Sequence, residues 1–135
     1  IWERMELEDT YKINLLTLKN KTMGYRSKVI IGVKTGKLSK EFDNILRKHD
    51  FPVDKTDGDY LHIHEDPNDK TFYTFNYIKW YESDDWCKEI VDWLERQDGN
   101  YNVFCIGLGE DGQIHSEIGH PYEYVEQISE INLID

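Results

Sequence analysis

Residues 71–97, TFYTFNYIKWYESDDWCKEIVDWLERQ, decide the fold, because the spacing of their apolar side chains changes from two residues to nearly four. In the first part, alternation predicts a β-strand over 71–80 whose two faces carry different side chains. One face carries Tyr73, Phe75 and Tyr77, and the other carries Phe72, Thr74, Asn76 and Ile78. In the second part, helical spacing predicts an amphipathic helix over 85–97 with Trp86, Ile90, Trp93 and Leu94 on its apolar face.

Further elements extend outward from this stretch in both directions. Upstream, residues 59–64 predict a strand that forms an antiparallel hairpin with 71–80 across the turn signal at 66–69. Before them, the pattern predicts a strand over 28–34 and a helix over 38–48 with a basic outer face.

Downstream, residues 102–108 predict a strand, and the Asp-Gly pair at 111–112 predicts a hairpin return over 113–118. Pro121 suits the first position of a last short helix that would carry Tyr122, Val125 and Ile128. The order is therefore β-α-β-β-α-β, which predicts an α+β fold with a ferredoxin-like antiparallel sheet, extended by the hairpin strand and the short helix. We expect residues 23–135 to form one domain beginning at Met23, with residues 1–22 as an N-terminal extension.

Charge is distributed unevenly along the chain, whose net charge is −11. Residues 23–55 have a net charge of +4, whereas residues 56–135 have a net charge of −15. This asymmetry disfavours direct nucleic-acid binding by the acidic part, because duplex affinity comes largely from Lys and Arg at phosphates. It favours a basic partner.

The apolar segments and the cysteines indicate the compartment. No apolar run approaches the roughly 18 residues of a membrane span, and no signal peptide is recognisable, so we expect a cytoplasmic protein that binds no membrane. Cys87 and Cys105 are too few for a disulfide framework, and both lie on predicted apolar faces. They are expected to be buried free thiols.

Three short motifs resemble a family of short proteins known mainly from phage and bacterial genomes. They are Met-Gly-Tyr-Arg-Ser-Lys-Val at 23–29, Ile-Lys-Trp-Tyr-Glu at 78–82, and Ile-Gly-Leu-Gly-Glu-Asp at 106–111, followed by Gly119. The family has arginine-isoleucine-Gly-Glu-Asp at the third place, whereas Leu108-Gly109 precedes the acids here. The resemblance covers most of residues 23–119. It implies a phage-encoded accessory protein and no particular reaction.

Motifs for catalysis or cofactor binding are weak. His62 and His64 lie on one face of a predicted strand and could bind a metal with Glu65, Asp66, His115 or His120, but an ordinary solvated sheet face explains them better. The Gly107-x-Gly109 pair lacks the third glycine and following helix of a phosphate-binding loop. We expect no catalytic residue, no resident metal and no cofactor.

The favoured hypothesis is a non-enzymatic protein, such as an inhibitor, that binds a basic surface of a host or bacterial protein. The second predicted helix has an acidic outer face, which would imitate a run of phosphates and act with the Trp80-Tyr81-Glu82 edge. The carboxylates of this face are Glu82, Asp84, Asp85, Glu89, Asp92 and Glu95. For the aromatic stretch from Phe72 to Trp86, the sequence favours packing in the core, because strand aromatics usually serve the core, and a partly exposed interface patch is the alternative.

Two alternatives stay open. One is a small-molecule or nucleotide-binding protein that holds its ligand with Arg26, with aromatic residues such as Tyr77, and with the basic first helix. The other is a metal-dependent enzyme that uses His62 and His64. The sequence predicts no oligomeric state.

Overall fold

The computed structural model describes residues 25–54, 60–97, 101–127 and 131–134. The predicted extension 1–22 and the domain start at Met23 lie outside these ranges. The elements are β1 (Ser27–Lys34), α1 (Lys37–Lys48), β2 (Leu61–Glu65), β3 (Lys70–Ile78), α2 (Asp85–Arg96), β4 (Val103–Gly109), β5 (Ile114–Ile118), a 3₁₀ turn (Pro121–Glu123), β6 (Val125–Gln127) and β7 (Ile131–Leu133).

The main sheet has five strands in the order β2-β3-β1-β4-β5, and every neighbouring pair is antiparallel. The α+β class, the antiparallel sheet and the hairpin strand β5 are therefore confirmed. The sheet continues past β4 to β5, so it has one strand more than the four of a ferredoxin-like sheet. Neither α1 nor α2 has the length and apolar character needed to cross a membrane.

Both helices pack on one face of the sheet and form the larger core there. The apolar side of α2 and the inward side chains of β1 meet between the layers, and Tyr73 and Phe75 of β3 join them. Cys87 and Cys105 are fully buried free thiols in this core, as predicted. Burial of this apolar area is the main force that fixes the helices on the sheet.

The opposite face of the sheet is covered by a two-stranded ribbon of β6 and β7. Val125 and Ile131 of this ribbon pack with Ile30, Phe104 and Ile106 in a second core. The predicted last helix is wrong beyond one 3₁₀ turn: Val125 is buried and Glu126 exposed, which is strand alternation, because the ribbon must present one side to the sheet. Ile128 lies outside the described residues.

A β-bulge near the end of β3 reverses two of the predicted side-chain directions. The pairing with β1 shifts register between Ser27↔Ile78 and Val29↔Phe75, and Tyr77 adopts a positive φ of 57°. Ile78 consequently packs against the larger core, while Tyr77 is 66% exposed. The prediction that Tyr77 shares a face with Tyr73 and Phe75 is wrong, because the bulge inserts an extra residue into the alternation.

Candidate binding surfaces at one end of the sheet

Three segments that are distant in sequence meet where β1 begins. The chain before β1 continues its pairing with β4: Glu110 N donates to Arg26 O at 3.0 Å, and Arg26 N donates to Glu110 Oε1 at 3.1 Å. From the connection between β3 and α2, the Tyr81 hydroxyl donates to Tyr25 O at 3.2 Å. This end of the sheet therefore combines β1, the β4–β5 turn and the start of α2.

Tyr25 ties the β4–β5 turn to the start of β1. Its ring is buried, and its hydroxyl donates to Asp111 Oδ1, which also accepts a hydrogen bond from Gln113 N at 3.1 Å. Burial raises the pKa of Tyr25 far above its ordinary value, and the hydrogen bond and charge of Asp111 raise it further. The hydroxyl thus stays protonated and holds the Asp111 carboxylate in place.

Gly107 and Gly109 make room for side chains that cross β4. A Cβ atom at Gly109 would lie 1.6 Å from Tyr25 Oη, and one at Gly107 would lie 2.6 Å from His115 Cε1. Packing therefore accounts for this glycine pair without a phosphate. Alternate glycines within a strand indicate that other groups approach its backbone closely. This pattern in the sequence could have predicted side chains packed over β4, which the structure identifies as Tyr25 and His115.

An acidic recess of about 260 Å³ lies on this end of the sheet. It is lined mainly by Tyr25, Trp80, Glu82, Asp111, Gln113 and His115. His115 Nε2 lies 2.8 Å from Ser27 Oγ, and desolvation lowers the pKa of His115 despite the opposing charge of Asp111. The recess therefore combines two carboxylates with an imidazole that is neutral at pH 7.

Trp80 forms part of this recess as a buried residue. It is 6% exposed and packs with Phe75 and Trp86, so its ring belongs to the larger core and not to an exposed aromatic patch. Its Nε1–H has no hydrogen-bond partner within the described ranges. An unpaired buried donor costs roughly 1–3 kcal/mol, which makes this atom unusual.

The predicted acidic face of α2 is divided into two parts. Near its beginning, Glu82 and Asp85 are exposed, and Tyr81 is half-buried. Further along, Glu89 accepts from Lys48 Nζ of α1 at 3.0 Å, and Asp92 pairs with Lys88 at 3.2 Å. His49 Nε2 lies 2.8 Å from the same Glu89 carboxylate.

A second recess, of about 370 Å³, brings together the two alternative ligand-binding residues, Arg26 and Tyr77. The Arg26 guanidinium lies 5.9 Å from the centroid of the Tyr77 ring. Lys28 and Asn76 also line this recess, and Glu110 borders it. The basic first helix, which the sequence grouped with them, does not line it.

The described residues form neither a metal site nor a reactive thiol. Within residues 25–54, 60–97, 101–127 and 131–134, no group of three or more His, Cys, Asp or Glu side chains is placed to hold a metal ion. His62 and His64 are exposed on β2, and His64 stacks with Phe72 at 6.2 Å between ring centroids. Burial raises the pKa of Cys87 to about 12, which is typical of an inert thiol.

Comparisons with protein-family models, with curated proteins and with solved structures find no match to this chain. The two recesses and their surroundings are therefore the features from which function is inferred.

Proposed function

We propose that this domain is a non-enzymatic binding protein whose acidic end engages a basic segment of another protein. One observation carries the proposal: Glu82 and Asp111, from separate chain segments, line one recess. Around them, desolvation raises the pKa of the Tyr81 hydroxyl most, and the charges of Asp84 and Glu110 raise it further, while the charge of Arg26 opposes them. The proposed acidic surface is thus assembled by the tertiary structure from the start of α2 and the β4–β5 turn. We propose it as the binding surface in place of the long outer face of α2 that the sequence predicted.

The carboxylates at this end are available for a cationic partner. Within the described part of the chain, no Lys or Arg lies at salt-bridge distance from Glu82, Asp84 or Asp85. Complementary charge accelerates association and suppresses wrong partners, and its effect falls as salt increases. A Lys or Arg side chain of the partner that lay between Glu82 and Asp111 would be attracted by two carboxylates.

Trp80 forms part of the wall of the recess and supplies no polar contact to the proposed partner. Its Nε1 atom is buried as well as unpaired within the described ranges, so a partner at the surface does not reach it. The proposed recognition therefore depends on the exposed carboxylates, which attract the Lys and Arg side chains of a basic polypeptide segment.

The resemblance to short phage and bacterial proteins supports the biological side of the proposal. In this proposal, the chain is a phage-encoded accessory protein that acts in the host cytoplasm. Its target is a basic surface, such as a nucleic-acid-binding site, which the carboxylates occupy in place of phosphates. An inhibitor of this type requires no catalytic residue.

A matched pair of double variants tests the location of the binding surface. Glu82→Gln/Asp85→Asn neutralises two carboxylates at the beginning of α2, and Asp92→Asn/Glu95→Gln neutralises two near its end. The probe is a fluorescent peptide with alternating arginine and glycine, and its Kd is measured by anisotropy at 50 and 300 mM salt. We expect the first variant to weaken binding about tenfold, which corresponds to about 1.4 kcal/mol, and the control less than twofold.

Equal losses in the two variants would show a general charge effect and would contradict the proposed location. A Kd that does not change between the two salt concentrations would contradict the electrostatic mechanism itself.

A further inference from the structure

The Arg26–Tyr77 recess differs from the acidic recess in charge and in volume. It presents two cations, Arg26 and Lys28, on a chain with a net charge of −11. Arg26 forms no salt bridge with a residue of the described ranges, and Lys28 Nζ contacts a neutral partner, Asn132 Oδ1, at 3.3 Å. Glu110 is the carboxylate at the border, and its Oε1 already accepts from Arg26 N.

The position of Tyr77 is the second observation. A residue other than glycine with a φ of 57° occupies a left-handed conformation that costs roughly 1–2 kcal/mol. The bulge that imposes this conformation places the aromatic ring outside the core, where 66% of the residue is exposed. Strained residues of this kind cluster at ligand sites, where the strain helps to position a contacting group.

We propose that this recess binds a nucleoside monophosphate, a ligand with a flat ring and a compact anionic group. The base stacks on the Tyr77 ring, as bases do on aromatic side chains. The phosphate accepts hydrogen bonds from the Arg26 guanidinium, whose planar fork suits phosphate oxygens, while Lys28 adds a second positive charge. The Asn76 amide is the group available to read the edge of the base.

The size of the recess agrees with this class of ligand. About 370 Å³ falls within the range of roughly 300–1,000 Å³ that is usual for small-molecule sites. Leu108 contributes an apolar part of the lining. The two recesses share no lining residue, although Glu110 lies beside both, so each proposal can fail without the other.

Isothermal titration calorimetry with adenosine 5′-monophosphate tests the proposal on the full chain. Adenosine alone lacks the phosphate, and inorganic phosphate lacks the ring. We expect the monophosphate to bind with submillimolar affinity and each of the two fragments to bind at least tenfold more weakly. Guanosine, cytidine and uridine monophosphates then show which base the site prefers, and binding of any of these in place of the adenosine compound supports the site equally.

Substitutions locate the binding. Arg26→Gln and Tyr77→Asn should each weaken the monophosphate at least tenfold. Asparagine tolerates the left-handed conformation, so Tyr77→Asn should retain the melting temperature of the wild type while it loses the ligand. The matched controls are Lys79→Gln and Tyr122→Ala, an exposed cation and an exposed tyrosine that do not line the recess, and they should change affinity less than twofold.

Three outcomes would overturn the inference. One is the absence of binding by all four monophosphates at 5 mM. Another is inorganic phosphate that binds as tightly as the nucleotide, which would indicate a general anion effect. The third is a loss in the control variants equal to the loss in Arg26→Gln and Tyr77→Asn.

Discussion

Residues 82–96 comprise α2 and the three residues before it, and each half of this segment carries three carboxylates. The two halves differ in how many of these carboxylates are paired with lysines. Glu82, Asp84 and Asp85 surround the helix start, where the positive end of the helix dipole favours negative charge. They have no cationic side chain as a partner within the described residues, and Asp111 adds a charge from the β4–β5 turn. In the second half, Glu89 and Asp92 are paired with Lys48 and Lys88.

This difference shows that the number of acidic residues on a helix does not measure the charge available to a partner. The sequence places six carboxylates on one outer face, and each has the same formal charge. Packing α1 beside α2 brings Lys48 to Glu89, whereas packing the β4–β5 turn near the helix start brings Asp111 to Glu82. One end therefore loses negative charge and the other gains it.

The largest effect should come from displacing Tyr25, which holds Asp111 at the acidic end. In Gly109→Ala, the new Cβ would overlap the Tyr25 hydroxyl at 1.6 Å, so the ring must leave its position. We expect a loss of about 3 kcal/mol in the free energy of unfolding, measured by urea denaturation.

Gly112→Ala is the control within the same turn. No atom lies within 4 Å of the added Cβ, but the φ of 82° is unfavourable for alanine. The expected cost is only about 1 kcal/mol. Equal losses for the two variants would show that the Tyr25 contact does not hold this end together.

A smaller effect should follow from Tyr25→Phe, which removes the hydrogen bond to Asp111 and leaves the ring. A hydrogen bond to a charged group contributes about 2 kcal/mol, and we expect this loss at pH 7. Because the pKa of Tyr25 is raised above the unfolded value near 10, the contribution is complete below pH 10 and is lost as pH rises towards the folded pKa. Urea denaturation at pH 7 and 10.5 should show the difference between variant and wild type shrinking.

Tyr60→Phe is the matched control for this measurement. Tyr60 is 65% exposed, so removal of its hydroxyl should leave the free energy of unfolding nearly unchanged. If the free energy of unfolding of Tyr25→Phe were as little changed as that of Tyr60→Phe, the Tyr25–Asp111 hydrogen bond would not be what holds the acidic end together.

The smallest effect on stability is expected in the second half of α2, where Glu89 and Asp92 are paired with lysines. Glu89→Gln should cost about 0.5 kcal/mol at pH 7, because the pair with Lys48 is accessible to solvent. The hydrogen bond from His49, followed by that from Lys48, lowers the pKa of Glu89 below its ordinary value near 4.5. Its stabilisation is therefore present above that value and disappears as pH falls through the folded pKa.

Thermal unfolding of Glu89→Gln and the wild type at pH 7 and pH 3 measures this contribution. Glu95→Gln is the control, since Glu95 is exposed and forms no salt bridge with a described residue. If Glu89→Gln were no less stable than Glu95→Gln at pH 7, Glu89 would count as an available carboxylate, and the contrast between the two halves would vanish.

Much of the fold could be predicted because secondary structure is encoded by spacing over a few residues. The alternation in β3 and the four-residue spacing in α2 identified both elements within about two residues of their observed bounds. The same patterns placed Cys87 and Cys105 inside. Prediction failed at Tyr77 and after Pro121, where a bulge and a covering ribbon depend on partners elsewhere in the chain.

The candidate sites were less accessible to prediction. Arg26 and Tyr77 were named as one alternative, but their proximity depends on the pairing of β1 with β3 and on the bulge. Asp111, Gln113 and His115 were missed as a group with Glu82, because no local pattern connects the β4–β5 turn to the start of α2.

The sequence by itself determined the elements from β1 to β5, the apolar sides of the helices and the excess of negative charge, because each follows from residue type and short-range spacing. Only the tertiary structure decided which carboxylates are neutralised and which aromatic rings face solvent. The physical reason is that Coulomb energy and burial depend on distances between residues far apart in the chain, such as Lys48 and Glu89 or Tyr25 and Asp111.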